Sequence, residues 1–279
     1  MEREFLTSAQ VASLLGVGPT SVKRWTDSGN LPCVRTPGGH RRFLRDEVER
    51  FLERGSDGWS LDWGDAHAWV DRWIHGASPF EVQSALCAER NRRGSWWKVS
   101  EALSGVISEL GQRWEGGRLS ILDEHAATEC LTRALARCSE SISVPQGAPT
   151  CLLVAAEGED HTLGLSLGEV VLRGAGWRAR WGGRNTPLEE VVSLMRTQGV
   201  DLVAVTASMA FQDSEALAAQ ARTLAAATEE SGVPVVLAGG GAWPEPPSGP
   251  GGRLFRVLSF EDFDQLLGKL RAEEPVARR

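Results

Sequence analysis

Short apolar runs alternate with stretches of helical periodicity from Cys151 onwards. The runs are apolar almost throughout, which is typical of strands buried on both faces of a parallel sheet. This alternation predicts an α/β domain over residues 150–272, with right-handed crossovers between its strands. The predicted strands lie near 151–156, 177–181, 201–206, 234–238 and 254–258, and the predicted helices near 163–174, 187–198, 213–231 and 260–271.

The middle of the chain shows helical periodicity without strand patterns. One apolar stripe, for example, runs through Val99, Leu103, Val106 and Leu110. Short breaks between helices of this length imply that neighbouring helices are antiparallel. Residues 61–143 are therefore predicted to form a four-helix bundle, with helices near 61–75, 79–92, 96–114 and 119–143.

Residues 1–55 predict two short helices, a hairpin and a third helix that Asp46 caps. Thr7 is a good N-cap for the first helix, and Pro19 suits the first turn of the second. Two short helices with a tight turn between them form a helix-turn-helix, and the hairpin adds a wing, so we class this head as an all-α winged helix-turn-helix. The turn falls at Gly16-Val17-Gly18, and the wing strands at 31–36 and 40–43 flank Pro37-Gly38-Gly39.

Positive charge is concentrated in this head, although the whole chain has a net charge of −7. Residues 23–45 contain six Lys or Arg residues and one acid, Asp27. A basic patch on an acidic protein indicates one surface that binds a polyanion. A helix for the major groove, with Lys23 and Arg24, and a wing for the flanking backbone make double-stranded DNA the expected partner.

Composition narrows the remaining possibilities. No apolar run is long enough to span a bilayer, and the first residues show no secretory signal. The five cysteines have no Cys-x-x-Cys spacing, which argues against a zinc site or a disulfide framework and favours a reducing cytoplasm. Residues 55–60 and 144–149 are predicted linkers.

His161 is the main candidate for chemistry. It lies in a loop that follows a predicted strand and precedes a predicted helix, where open α/β sheets bind their ligands. A neutral imidazole is a good ligand for a transition metal, and Glu159 could hold its other ring nitrogen. Gly164 removes a side chain where a bulky ligand would approach. The alternative is a solvated histidine in an acidic loop.

The pattern Glu159-x-His161-x-x-Gly164 resembles the signature of cobalamin-binding Rossmann-like domains. The resemblance implies a flavodoxin-like strand order and makes His161 the lower axial ligand of cobalt. The family also has a Ser-x-Leu and a Gly-Gly that line a pocket for the nucleotide tail of the cofactor. Here Thr206-Ala207-Ser208 departs from Ser-x-Leu, although Thr206 still offers a hydroxyl, whereas Gly239-Gly240-Gly241 fits.

The head resembles the winged helix of the MerR family, above all in Thr36-Pro37-Gly38-Gly39-His40-Arg41-Arg42-Phe43. By this resemblance, residues of the second helix face the major groove and residues of the wing contact the flanking backbone. The first group is Ser21, Lys23 and Arg24, and the second is Arg35, His40, Arg41 and Arg42.

The bundle carries a third resemblance. From the local pattern alone, Trp114 is interpreted as a core residue of the bundle. Glu124 and His125 are interpreted as a solvated polar pair. Trp114, nine residues and then Glu124-His125 is, however, similar to the signature of CarH and LitR light-responsive regulators, which have the same three parts in the same order. The resemblance implies that Trp114 and Glu124 contact the adenosyl group, that His125 supports the site and that Ile121 adds an apolar contact.

Together these patterns predict a cytoplasmic transcription regulator, not an enzyme, that binds adenosylcobalamin to sense light. The resemblance implies a homo-oligomer, a dimer or tetramer, that represses in the dark and loosens when light cleaves the cobalt–carbon bond. One alternative is a corrinoid methyl-transfer protein, which would not need the head. Another is a regulator that senses a different tetrapyrrole, since Thr206-Ala207-Ser208 departs from the family pattern, or one that senses no light, since Glu115 stands where light-responsive relatives have a histidine.

Overall fold

The computed structural model describes residues 4–15, 19–27, 29, 31–36, 38–56, 65–74, 76–197, 199–241, 243–246 and 252–273, without the side chains of Ser21 and 52–56. The predicted turn at 16–18, Pro37 and most of the predicted linker 55–60 lie outside the described residues. The chain divides into two compact units, residues 1–143 and 144–279, which are described separately.

Among the described residues, the head combines three helices with a small antiparallel sheet. Reciprocal hydrogen bonds between Thr7 and Gln10 cap the first helix, since Thr7 Oγ1 accepts from the Gln10 N–H at 3.2 Å and Gln10 Oε1 accepts from the Thr7 N–H at 2.8 Å. The sheet order is β1-β3-β2, so the predicted two-stranded wing gains a third strand. The elements are β1 (Phe5–Thr7), α1 (Ser8–Leu15), α2 (Pro19–Asp27), β2 (Val34–Arg35), β3 (Arg41–Leu44) and α3 (Arg45–Ser56).

The predicted bundle is present in the same unit. Its helices are α4 (Ala66–Ile74), α5 (Pro79–Arg93), α6 (Trp96–Glu115) and α7 (Ile121–Ser141). Helix α5 begins with a capping box between Ser78 and Glu81 and ends at Gly94, whose φ is 85°. Apolar side chains such as Trp69, Leu86, Leu103 and Leu131 are fully buried between the helices. Within the described ranges, no helix has both the length and the apolar content that a bilayer span requires.

The second unit is a parallel sheet with helices between its strands. Among the described residues the strand order is β5-β4-β6-β7-β8, which is the predicted flavodoxin-like order. The order reverses between β4 and β6, so the loops after these two strands flank the switch point. The elements are β4 (Thr150–Ala155), α8 (Leu163–Gly174), β5 (Arg178–Gly183), α9 (Leu188–Arg196), β6 (Leu202–Thr206), α10 (Ser214–Ser231), β7 (Val235–Ala238), β8 (Leu254–Arg256) and α11 (Phe260–Glu273).

Candidate functional site

The loop of residues 157–162, which we call the His161 loop, leaves the sheet at the carboxyl end of β4. The ladder continues one residue beyond the strand, because the Ala156 N–H donates to the Thr206 carbonyl at 2.8 Å. The chain then turns sharply, with Gly158 at φ 87° and the Glu159 N–H donating to the Ala156 carbonyl at 2.9 Å. This turn directs the Glu159 side chain inward, where it is 2% exposed.

Both carboxylate oxygens of Glu159 are engaged. Oε1 accepts from the backbone N–H of His161 at 2.8 Å and lies 2.6 Å from His161 Nδ1, and Oε2 accepts from the backbone N–H of Ser208 at 2.7 Å. Burial alone would raise the pKa of this carboxyl, but the hydrogen bonds from His161 and Ser208 outweigh burial and hold the pKa below its ordinary value. Glu159 is therefore an ionised acceptor that fixes His161.

This pairing determines which nitrogen of His161 can bind a metal. A carboxylate on Nδ1 favours the tautomer with the proton on Nδ1, so Nε2 on the opposite side of the ring keeps its lone pair. The side chain is 64% exposed, which leaves Nε2 accessible. No group of three or more His, Cys, Asp or Glu residues in the described ranges could hold a metal ion. A single imidazole fits a metal whose macrocycle supplies most of its other ligands.

The glycines of the candidate site divide into two kinds. A Cβ at Gly239 would lie 2.3 Å from the Ala207 carbonyl oxygen, and one at Gly241 would lie 2.6 Å from the Ala207 Cβ. Gly240 is similarly close to Met209, at 2.5 Å. These glycines let the loop after β7 approach the loop after β6, so close packing accounts for them. A Cβ at Gly164, in contrast, would meet no described atom within 4 Å, so packing among the described residues does not require a glycine there.

The hydroxyl beside the histidine belongs to Ser208. Its Oγ lies 3.3 Å from His161 Nδ1, in the loop that follows β6. The Thr206 carbonyl takes part in the sheet ladder. Within the described residues, the Thr206 hydroxyl is not part of the Glu159 network. The departure from Ser-x-Leu therefore keeps a serine beside the pair, two residues later than the pattern predicts.

The bundle presents an exposed apolar surface where α6 ends and α7 begins. Trp114 is 46% exposed and Ile121 is 61% exposed, so the reading of Trp114 as bundle core is wrong. Glu124 is half-buried and accepts from the Thr128 hydroxyl at 2.7 Å, with His125 Nε2 3.5 Å from its other oxygen. Large exposed apolar groups on one surface are typical of a site that binds a ligand or a partner.

Arg113 anchors the end of α6, an arrangement that sequence patterns did not reveal. Its guanidinium donates to Glu109 at 2.7 Å and to the His67 carbonyl at 3.1 Å, and it also pairs with Asp71. Two of these partners lie on α4, so the contact holds the Trp114 end of α6 against α4. A lone arginine beside a tryptophan gives no signal of this anchor in the sequence, because its two partners on α4 are more than forty residues away.

The predicted DNA-contacting residues differ in how far their side chains are exposed. Lys23, Arg24, Arg35 and His40 are exposed, whereas the side chain of Ser21 lies outside the description. Arg42 is half-buried and donates to the Arg41 carbonyl at 3.0 Å.

Arg41 is paired inside the head rather than free. Its guanidinium lies 2.5 Å from Asp27 Oδ1 at the end of α2, and its side chain is 17% exposed. The pair joins the wing to the helix that carries Lys23 and Arg24. Arg41 therefore fits a role in orienting the two DNA-binding elements.

Arg41→Ala is expected to weaken DNA binding without changing its salt dependence. A lost phosphate contact lowers the log–log salt slope by about 1, whereas a lost internal pair alters only the orientation of α2 and the wing. Arg35→Ala, which removes an exposed arginine of the same wing, is the matched variant and should lower the slope. Fluorescence anisotropy with a labelled duplex over a KCl series measures both. Equal loss of slope in the two variants would show that Arg41 contacts phosphate.

Comparison with known proteins gives two domain matches. Residues 5–56 match the helix-turn-helix domain family, and residues 99–139 match the B12 binding domain family. A stretch of 52 residues is 48% identical to the transcriptional repressor DcmR of Methylorubrum extorquens, a match that spans 18% of this chain and 20% of that protein's length. A helix-turn-helix followed by a B12-binding region fits the resemblance to CarH-like, B12-dependent regulators.

Three solved structures are similar to larger parts of the chain. The monomethylamine corrinoid protein of Methanosarcina barkeri has a TM-score of 0.48 and 14% identity, over 68% of this chain and 96% of that one. The methanol:cobalamin methyltransferase complex MtaBC of the same organism has a TM-score of 0.38 and 14% identity, over 96% of this chain and 86% of that one. A cobalamin-binding protein of Desulfitobacterium hafniense has a TM-score of 0.34 and 17% identity, over 78% of this chain and 96% of that one. With TM-scores below 0.5, the fold is assigned from the strand order of this chain itself.

Proposed function

We propose that this protein is a transcription regulator that binds adenosylcobalamin and responds to light. The observation that carries the proposal is the His161 imidazole, fixed on Nδ1 by the buried carboxylate of Glu159, in a chain that also contains a helix-turn-helix domain. Nε2 of His161 would ligate the cobalt. The open surface at Gly164 would admit the macrocycle, and the glycines 239–241 would border the pocket of the nucleotide tail.

The bundle residues would recognise the adenosyl group of the cofactor. The exposed ring of Trp114 and the side chain of Ile121 offer apolar contact to an adenosyl group. The half-buried carboxylate of Glu124 can accept hydrogen bonds from hydroxyl or amino groups, with His125 as a neighbouring polar support. When bound, adenosylcobalamin supplies a cobalt–carbon bond that visible light cleaves. After cleavage, Trp114 and Glu124 lose the group that they contact.

Regulation then requires that the cofactor binds two states of the protein with different affinity. In the proposed dark state, contacts at Trp114 and Glu124 favour a homo-oligomer, a dimer or tetramer, in which several heads bind repeated DNA sites at once. Linked heads bind far more tightly than one head, because the second contact is intramolecular. Loss of the adenosyl contacts would loosen the oligomer and release DNA. The protein would thus act as a cytoplasmic repressor in the dark, without catalysis.

Trp114→Ala tests this coupling. The variant should still bind adenosylcobalamin, since His161 is intact, but it should no longer assemble when the cofactor is added in the dark. Light scattering of the wild-type protein should show an oligomer in the dark that dissociates under green light. Trp97→Ala changes a half-buried tryptophan of the same helix and serves as control. A Trp114→Ala protein that assembles like the wild type only with adenosylcobalamin in the dark would contradict the proposed role of Trp114.

The illuminated protein should hold its cofactor weakly, because the residue that follows Trp114 at the end of α6 is the exposed Glu115 and not a histidine. In light-responsive relatives a histidine at this position captures cobalt. A carboxylate is a poorer match than imidazole for cobalt by ligand preference. After illumination, the absorption spectrum should therefore be that of water-bound cobalt. Gel filtration should then separate released cofactor from the protein. Glu115→His should instead retain the cofactor with a two-imidazole spectrum, and the same spectrum in the wild type would refute the prediction.

A further inference from the structure

Gln220 is a buried polar residue on the apolar face of α10. It lies between Leu217 and Leu224, both fully buried against the sheet, and its own side chain is 7% exposed. A buried amide without partners is costly, so a glutamine on such a face needs hydrogen bonds that satisfy both ends of the amide. The structure provides them from the His161 loop.

Both hydrogen bonds of Gln220 go to the backbone of one residue, Glu157. The Glu157 N–H donates to Gln220 Oε1 at 2.9 Å, and Gln220 Nε2 donates to the Glu157 carbonyl at 3.0 Å. Glu157 is the first residue of the His161 loop, and its own side chain is exposed. Gln220 therefore holds the loop through its main chain at the point where it leaves the sheet.

The position of this contact determines what depends on it. Only Gly158, at φ 87°, separates Glu157 from Glu159. Glycine backbone is permissive, so the direction of the chain at Glu159 must be set by contacts on either side of it. On one side are the two hydrogen bonds between Gln220 and the Glu157 backbone. On the other side are the contact of the Glu159 carboxylate with His161 Nδ1 and the hydrogen bond that it accepts from the Ser208 N–H.

We propose that Gln220 is a positioning residue for the metal-ligand loop. It fixes the peptide at Glu157, so that Glu159 and His161 are preformed before the cofactor arrives. The inference rests on the proposed function for its consequence in cofactor binding. Groups that orient a metal ligand from outside its coordination sphere change metal affinity by about 10- to 100-fold.

Hydrogen exchange of the cofactor-free, full-length protein tests the positioning directly. Gln220→Leu keeps the bulk and apolar character of the site but removes both hydrogen bonds. Amide exchange at residues 157–161 should become at least about 10-fold faster, while the amides of β6 and β7 stay unchanged. Gln220→Met, which matches the length of the side chain and also removes both hydrogen bonds, serves as a second variant if Gln220→Leu does not fold. Thr228→Val, which removes a buried hydroxyl bonded only within α10, is the control.

Titration with hydroxocobalamin gives the second readout. Gln220→Leu should bind about 10-fold more weakly than Thr228→Val. Unchanged exchange at residues 157–161 would overturn the inference, and so would faster exchange with unchanged affinity. If the wild-type protein takes up no cobalamin, the proposed function fails, and the exchange experiment still decides whether Gln220 orders the loop.

Discussion

Replacing His161 by alanine is expected to lower the affinity for cobalamin by roughly 100-fold or more, since removal of a ligand should exceed the effect of losing an outer partner. The side chain is largely exposed and packs into no core, so the fold should be retained. Equilibrium binding of hydroxocobalamin, followed by its absorption spectrum, measures the change. The bound fraction, if any, should have lost imidazole coordination.

Two matched variants sharpen this result. His125→Ala removes an exposed histidine of the bundle and should leave the lower ligand of cobalt unchanged. Glu159→Gln keeps the shape of the side chain but removes the charge that fixes Nδ1, and should weaken binding by about 10- to 100-fold. If His161→Ala has the affinity and the spectrum of the wild-type protein, His161 is not a ligand of the cobalt.

Loss of Lys23 and Arg24 together should have the second largest effect. Both side chains are exposed on α2, and each is expected to contact phosphate or a base edge. Each replacement by alanine should weaken DNA binding by roughly 10-fold, and a phosphate contact should also lower the log–log salt slope by about 1. Anisotropy titrations over a KCl series measure both quantities.

Lys98→Ala is the control for total charge, because Lys98 is an exposed cation of the same unit outside the head. It should leave the salt slope unchanged. Cobalamin uptake should be unaffected in all of these variants, since Lys23 and Arg24 lie in the head, far along the chain from His161. If Lys23→Ala with Arg24→Ala retains the wild-type slope, the groove-facing role of α2 is wrong.

The parallel sheet was predictable because its strands are nearly uninterrupted apolar runs. The strand β1 was not, since Phe5–Thr7 is three residues long and only Leu6 is buried. So short a segment has no periodicity, and its strand character comes from pairing with β3, which is distant in sequence.

The same distinction separates the parts of the candidate site. Glu159 and His161 are two residues apart, so their spacing alone predicted the pair that the structure shows. Gln220 is 63 residues from Glu157, and only the packing of α10 brings them together. A glutamine on an otherwise apolar helix face was the available signal. Charge density likewise pointed to Arg41, but its partner Asp27 becomes a neighbour only when the wing folds against α2.

Electron paramagnetic resonance of the ¹⁵N-labelled protein with unlabelled cobalamin in its paramagnetic Co(II) form tests whether His161 Nε2 ligates cobalt in place of the cofactor's own base. Coupling to a ¹⁵N nucleus of the protein splits the cobalt lines into doublets, whereas the ¹⁴N of the cofactor base splits them into triplets. We expect doublets. Triplets, or lines without nitrogen splitting, would show that no nitrogen of the protein ligates the cobalt.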